Sequence, residues 1–253
     1  MQPEEARSRI AALGFSADDT ATLFAHFDDA ERRGKRGHGH ARIEWLETLP
    51  GLDPGARPAR DSVSQSHEVW DGRGALGYLT LAAICEAQLT EPPEHSRVVL
   101  ARRCFPTGVL GHWVRRLADG GLVAVLTATS PARLAHPDGN VPLAGTNPIA
   151  IGIPSSDGHP FVADVSPAKA TWGEVLAGQA SPDDVVPFGG EQAHKSFALA
   201  LGLQLLVDAL IGASISETQS PNYGAVLVVA RPSGDPVPAL RALAGGVRLP
   251  GDR

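Results

Sequence analysis

The sequence predicts an α/β protein with an N-terminal helical region, and three observations carry that reading. Helical periodicity fills the residues before position 50. A connection rich in Pro and Gly, PGLDPGARPARDS (50–62), follows and is the best candidate for a boundary. Beyond it, short apolar runs of strand character alternate with helical patterns, so strands and helices are mixed along the chain. The 253 residues suit one large domain or two small ones, and the division falls between 1–62 and 63–253. With 43% apolar and 20% charged residues, the chain can bury a core without staples.

In SADDTATLFAHFDDAERRG, Ser16 is the N-cap and Asp19 a short substitute for the Glu of a capping box. Leu23, Phe24, Phe27 and Ala30 then share one helical face. A third helix starts near His40 or Ala41 and turns Ile43, Trp45, Leu46 and Leu49 inward. SHEVWD reads as a strand, LGYLTLAAICEAQL as a buried helix, SRVVLARRC as a strand and GVLGHWVRRLADG as a helix. GLVAVLTAT, NPIAIGIP, PFVADV and finally GAVLVVARP are further strands. AHKSFALALGLQLLVDALIGA is the longest and most apolar helix and is expected at the centre of the molecule. The stretch 173–193, with its Pro, Asp and Gly, reads as a surface loop.

Composition narrows the function classes. The formal charge of −6 leaves no general nucleic-acid surface, and no basic stripe stands out. The short run Arg32, Arg33, Lys35, Arg36 reads as a solvated helix end. Cys85 and Cys104 lack metal-site spacing and suit a reducing compartment. The acidic, amphipathic N-terminus is unlike a signal peptide. No apolar run approaches the ~20 residues that span a bilayer. A cytoplasmic protein with no membrane or nucleic-acid partner is the expectation.

GRGALG (Gly72, Gly74, Gly77) matches G-x-G-x-x-G between a strand pattern and a helix pattern. A Rossmann site wants an acidic residue ~20 positions on. Here the next strand ends in Arg102 and Arg103, and no second βαβ half follows cleanly. The favoured reading is a glycine turn that lets a helix pack closely on the sheet, with a Rossmann site as the alternative.

The segment GKRGHGHARIEWL (34–46) carries the candidate chemistry. A metal would need further ligands at ligand spacing, and none is near. An anion site fits better. A helix start presents free N–H groups and a positive dipole end. Arg42, in its first turn, could grip a carboxylate in a two-pronged bond, with His38 placed to move a proton beside it. Histidines that only cap and solvate a helix end remain the plainer alternative.

Those residues suggest a family. RGKRGHGHARIEWL resembles the R-G-x-x-S-H-G-x-x-R segment of the malate/L-lactate dehydrogenase family, which is distinct from the Rossmann-type lactate and malate dehydrogenases. WDGRGALGYLTLAAICEA resembles the family's DG…G stretch entering a helix, and GLVAVLTATS its strand ending in T-N-x-S. PLAGTNPIAIGIP resembles L-G-T-N-P-[IL]-A, and FVADVSPA resembles L-D-M-A-T-S. PFGGEQAHKSFALALGLQLLVDALIGA resembles the G-G-H-K loop with its apolar helix, and VRLPGDR the family's V-R-x-P-G-E-R. In this order the motifs are specific, and they cover nearly the whole chain.

The resemblance implies a non-Rossmann α/β fold, NAD or NADP as cofactor, a small-molecule carboxylate substrate (a 2-oxo or 2-hydroxy acid or a cyclic imino acid) and a homodimer. It implies His38 as proton donor, Asp164 as its partner and Arg42 as the clamp on the substrate carboxylate. Gly145, Thr146 and Asn147, with Gly189, Gly190, His194 and Lys195, are implied at the cofactor. No metal is implied. The chain also departs from the pattern. Gly37 stands for the serine before the histidine, Cys104 and Pro106 for a serine and a second histidine, and Ala128 for an asparagine. Glu191 to Ala193 separate the Gly pair from His194-Lys195, and Ser196 replaces a glycine. His112 is a conceivable substitute for the lost histidine. The segment between Ala168 and Pro187 is short for the family. Such losses fit either a shifted substrate or a catalytically degenerate homologue acting as a binding or scaffolding protein.

Overall fold

The structure is a computed structural model, and it describes residues 1–213 and 222–252. Three helices lead the chain: α1 (Pro3–Ala12), α2 (Ala17–Arg32) and α3 (Ala41–Glu47). Ser16 caps α2 as expected. Its Oγ accepts from the Asp19 N–H at 3.1 Å and donates to the Asp19 carboxylate at 2.6 Å, so the short acid closes on the hydroxyl. Leu23, Phe27, Ile43 and Leu46 are fully buried, while Phe24, Trp45 and Leu49 pack at the edge of the same core.

The elements that follow are β1 (Ala59–Val63), β2 (His67–Asp71), α4 (Gly77–Thr90), β3 (Ser96–Arg102), α5 (Leu110–Asp119) and β4 (Val123–Ala128). A small pair, β5 (Leu134–Ala135) and β6 (Pro142–Ala144), precedes β7 (Ile149–Ile153) and β8 (Phe161–Val165). The short α6 (Trp172–Leu176), the long α7 (Ala193–Ile211), β9 (Ala225–Ala230) and α8 (Val237–Leu243) complete the order. β1, β5, β6 and α8 were not legible in the residue pattern. β1 begins inside the Pro/Gly-rich connection, so the division at residue 62 falls within a strand.

The main sheet runs β1-β2-β3-β9-β4-β7-β8. Only β2 and β3 pair in parallel, joined by α4, and the other pairs are antiparallel. That order excludes the Rossmann alternative, whose sheet is parallel. The glycines of GRGALG serve close packing instead. A Cβ on Gly72 would lie 2.2 Å from the Arg103 carbonyl oxygen, and one on Gly77 would lie 2.6 Å from that of Pro106.

Alternation along the strands divides the core between two faces. Val99, Ala101, Leu227 and Val229 join a large cluster with α4, α5 and the N-terminal helices, including Ile10, Phe27 and Ile43. Residues 1–62 therefore share one core with the sheet. Leu100 and Val226 face the other way, onto Val207 and Ile211 of α7. α7 is not central, contrary to its composition. It covers one side of the sheet and leaves Leu199, Leu205, Leu206 and Leu210 between 42% and 54% exposed. With the preceding turn it is also long and apolar enough to cross a membrane, correcting the expectation that no such run exists; here its buried side lies on the sheet.

Candidate active site

The segment bearing His38 is bent by its glycines. Gly34 ends α2 at φ +74°, and the Lys35 N–H returns to the Ala30 carbonyl at 2.9 Å. A single 3-10 turn, Arg36–His38, leads into α3. Gly37 lies flat against α6: a Cβ there would sit 2.6 Å from the Glu174 N–H nitrogen. Reciprocally, a Cβ on Gly173 would sit 2.5 Å from the Gly37 carbonyl oxygen and 2.6 Å from an Arg42 guanidinium nitrogen. The missing serine is thereby explained, because a side chain at 37 would push α6 away. The start of the segment read as a surface loop, Gly173 to Leu176, forms a wall of the site, while most of the residues from Gly178 to Gln192 are exposed as expected. Thr171 and Glu174 form a capping box that nucleates α6, a local signal the loop-like composition concealed.

Together these elements enclose a cavity of about 380 Å³ lined by His38, Arg42, Thr146 and Asp164 among others. Three of its polar atoms are buried with no hydrogen-bond partner: Nδ1 of His38, Nε of Arg42 and the hydroxyl of Tyr78. Arg42 stacks over the Trp45 ring at 5.3 Å and has no acidic partner among the described residues. Burial, and then the charges of Arg42 and Lys35, push the His38 imidazole down to about 3, so it rests neutral. The dipole of α3 is not what awaits an anion. The N–H groups of His40, Arg42 and Ile43 are already taken by Glu31, Gly39 and His40. His40 is a bystander, buried with its Nδ1 3.2 Å from the Met1 carbonyl oxygen.

Asp164 reaches the cavity, but no described bond joins it to His38. One of its oxygens takes Lys35 Nζ at 3.1 Å and the Gly111 N–H at 3.0 Å. Val109 at the N-cap of α5 has no side-chain acceptor, and Asp164 supplies one from β8. Lys35, though exposed, is thus an ion-pair partner of Asp164, while Arg32, Arg33 and Arg36 pair with Asp28, Asp29 and Glu31. His112 does not replace the lost histidine. It bonds Asp29 at 3.1 Å and lies outside the wall of this cavity. Cys104 is buried, its thiol pushed up to about 12 by burial, which leaves it a packing residue.

The GTN turn divides its labour. Thr146 lines the cavity and its carbonyl accepts from Ser166 Oγ at 2.9 Å. Asn147 is wholly buried, with its amide occupied inside the protein. Oδ1 accepts from the Ser130 N–H, and Nδ2 donates to Ala200 and Gln204. The Gly145 N–H bonds Gln204 too. These two residues anchor the turn from behind. Gly189, Gly190, His194 and Lys195 are exposed and stand outside the cavity wall. Sequence reasoning missed Tyr78, Trp172 and Arg133 in the wall. Tyr78 looked like ordinary helix core, Trp172 sat at the edge of the supposed loop, and Arg133 belongs to no motif.

A family model described as malate/L-lactate dehydrogenase matches residues 4–184. The chain is 29% identical, over 89% of its length and 80% of the relative's, to a (2R)-3-sulfolactate dehydrogenase (NADP(+)) of Chromohalobacter salexigens. It is 26% identical, over 94% of its length and 83% of the relative's, to a Delta(1)-pyrroline-2-carboxylate/Delta(1)-piperideine-2-carboxylate reductase of Pseudomonas putida. Among solved structures it superposes on a dehydrogenase from Sinorhizobium meliloti with TM-score 0.79 and 25% identity, covering 100% of this chain and 89% of that one. It shares its fold with the delta1-piperideine-2-carboxylate reductase of Pseudomonas syringae, at TM-score 0.80 and 24% identity, covering 99% of this chain and 89% of that one.

Proposed function

Since the chain belongs to the malate/L-lactate dehydrogenase family of NAD(P)-dependent oxidoreductases, we propose that its cavity interconverts a small 2-oxo acid or cyclic imino acid with the corresponding 2-hydroxy or cyclic amino acid. One observation carries this reading: an unpaired guanidinium, Arg42, and a neutral imidazole, His38, both with buried unpartnered nitrogens, face one cavity. Arg42 takes the carboxylate in a charge-assisted bond. That fixes the neighbouring carbon beside His38, and positioning of this kind is a large share of catalysis.

The nicotinamide supplies or accepts the hydride when bound. The chain's own residues must handle the proton. In oxidation, the neutral His38 ring is a base ready to take the hydroxyl proton. In reduction, a carboxylate on Arg42 offsets part of the guanidinium charge that holds His38 deprotonated, so substrate binding raises the ring's hold on the proton it must donate. The unpartnered Tyr78 hydroxyl would be a donor for the nicotinamide carboxamide, and Thr146 would border the ring. Gly189, Gly190, His194 and Lys195 are assigned, on the resemblance, to the outer part of NAD or NADP. Asp164 acts on this site by holding Lys35 and α5. The matched relatives are enzymes, and no observation favours the non-catalytic alternative.

A homodimer is part of the proposal, supported by the half-exposed leucines of α7, and Leu206→Asp is expected to shift the chain to a monomer in light scattering. A reducing, cytoplasmic setting suits the two buried free thiols. The test of function is oxidation of NADH and NADPH with pyruvate, 2-oxoglutarate, oxaloacetate, piperideine-2-carboxylate and pyrroline-2-carboxylate. Arg42→Met is expected to cut kcat/KM by about 30- to 1000-fold, the effect of deleting one partner of a buried charge pair. Turnover untouched by that change sinks the assignment.

A further inference from the structure

Arg42 is not the only guanidinium in this cavity without a carboxylate. Arg133 also lines it and has no acidic partner among the described residues. Its Cζ lies 3.7 Å from the centre of the Trp172 ring, the stacked geometry that suits a planar cation. The acids that face the cavity are engaged elsewhere. Asp164 is paired with Lys35, and the Glu174 carboxylate accepts from the Thr171 N–H and hydroxyl. Burial pushes the Arg133 pKa down, against the smaller influence of Tyr223, a direction that a bound anion would reverse.

Both stacking partners are rigidly placed. The Arg133 N–H bonds the Ala144 carbonyl at 2.8 Å, tying it into the β5–β6 pair. Leu134, the next residue, is wholly buried in a small cluster with Ala144, Ala168, Val185 and Ala200, and Trp172 packs on that same cluster. Trp172 and Gly173, consecutive on α6, therefore meet Arg133 and Arg42 respectively. A monocarboxylic substrate occupies one guanidinium and leaves the other, partly desolvated, without a counter-charge. A cation held in place before binding is worth most to a ligand that brings it a charge.

We propose that Arg133, stacked on Trp172, is a specificity-determining residue that receives a second, distal anionic group of the substrate, a carboxylate or sulfonate, while Arg42 holds the carboxylate next to the reacting carbon. This rests on the oxidoreductase reading and narrows its substrate to dianions. The same chemistry could come from a phosphate of the cofactor, and the experiment separates the two.

The test compares matched substrates that differ in one anion, 2-oxoglutarate against 2-oxovalerate and oxaloacetate against 2-oxobutyrate, in wild type and in Arg133→Met. The wild type is expected to prefer the dianion of each pair. Arg133→Met is expected to lower kcat/KM for the dianions by about 30- to 1000-fold, to leave the monoanions within about threefold and to spare the KM for NAD(P)H. Arg133→Lys should recover part of the preference. A wild-type preference for monoanions overturns the proposal, as does an equal loss for both members of a pair. A loss lodged in the KM for NADH or NADPH also overturns it and assigns Arg133 to a phosphate. Calorimetry with glutarate and valerate gives a readout that needs no turnover. Tighter binding of glutarate that Arg133→Met abolishes sustains the second anion site even if no 2-oxo acid reacts; equal binding of the two acids removes it.

Discussion

Two segments of this molecule bear a histidine and a basic residue, and the fold treats them oppositely. In residues 34–42, Gly37 packs on α6, and Nδ1 of His38 and Nε of Arg42 are buried without partners beside a cavity. Residues 189–195 run along the surface into α7, exposed and outside the cavity wall. Both were reached by motif. What separates them is the neighbour. Gly37 and Gly173 let two backbones touch, and that contact dries the first segment and leaves its polar groups waiting for a ligand. The Gly-Gly…His-Lys segment has no such cover among the described residues. A motif locates residues, but chemistry follows only where a second segment excludes water.

The largest expected effect tests the first segment directly. His38→Ala should lower kcat by roughly 100- to 10,000-fold, the range for loss of a positioned acid or base, while the KM for NAD(P)H holds steady. Equal turnover would erase the distinction between the two segments. Next, Gly173→Ala attacks the contact that seals the cavity. The new methyl meets the Gly37 carbonyl and Arg42, and the loss is expected to be about 1–3 kcal/mol in denaturant titration, with activity falling alongside. Unchanged stability would mean that α6 is free to lift.

Acid provides a third test of how dry that region is. His38 is pushed down to about 3, and burial, reinforced by His112 and His38, holds the fully buried His26 well below its ordinary range. Below about pH 6.5 the unfolded chain protonates these rings and the native one does not. The unfolded state then binds more protons, so stability should fall as pH drops from about 6.5 toward 3. His26→Gln should shrink the loss measured between pH 7 and pH 5, even though it lowers stability at both. The smallest effect belongs to the second segment. Lys195→Ala is expected to raise the KM for NAD(P)H several-fold with kcat intact; a collapse of kcat would bring that segment into the reacting centre.

The departures from the family pattern were legible in the residues, and their meaning was not. Gly37 fits a shifted substrate or a degenerate homologue by motif alone, and in the fold it is a packing requirement of the α6 contact. Asp164 matches a catalytic acid and is engaged by Lys35, a residue 129 positions away in a run of solvated character. Asn147 matched a cofactor residue and is the pin between the end of β4 and α7. In each case the residue type was read correctly, while its partner lay in a segment whose position depends on the sheet order.

The sequence by itself determined most of the helices and strands, since periodicity and caps such as Ser16–Asp19 depend on residues within a turn or two. It also determined the family and the His38–Arg42 pair, because four residues across one tight turn and one helical start bring them to the same place whatever else the chain does. Only the tertiary structure decided which groups are left unsatisfied. Order β4-β7-β8 sets Asp164 at the start of α5, the β5–β6 pair sets Arg133 over Trp172, and α6 packs against Gly37 and Arg42. Whether a charge is already paired depends on segments distant in sequence, and local pattern carries no record of that.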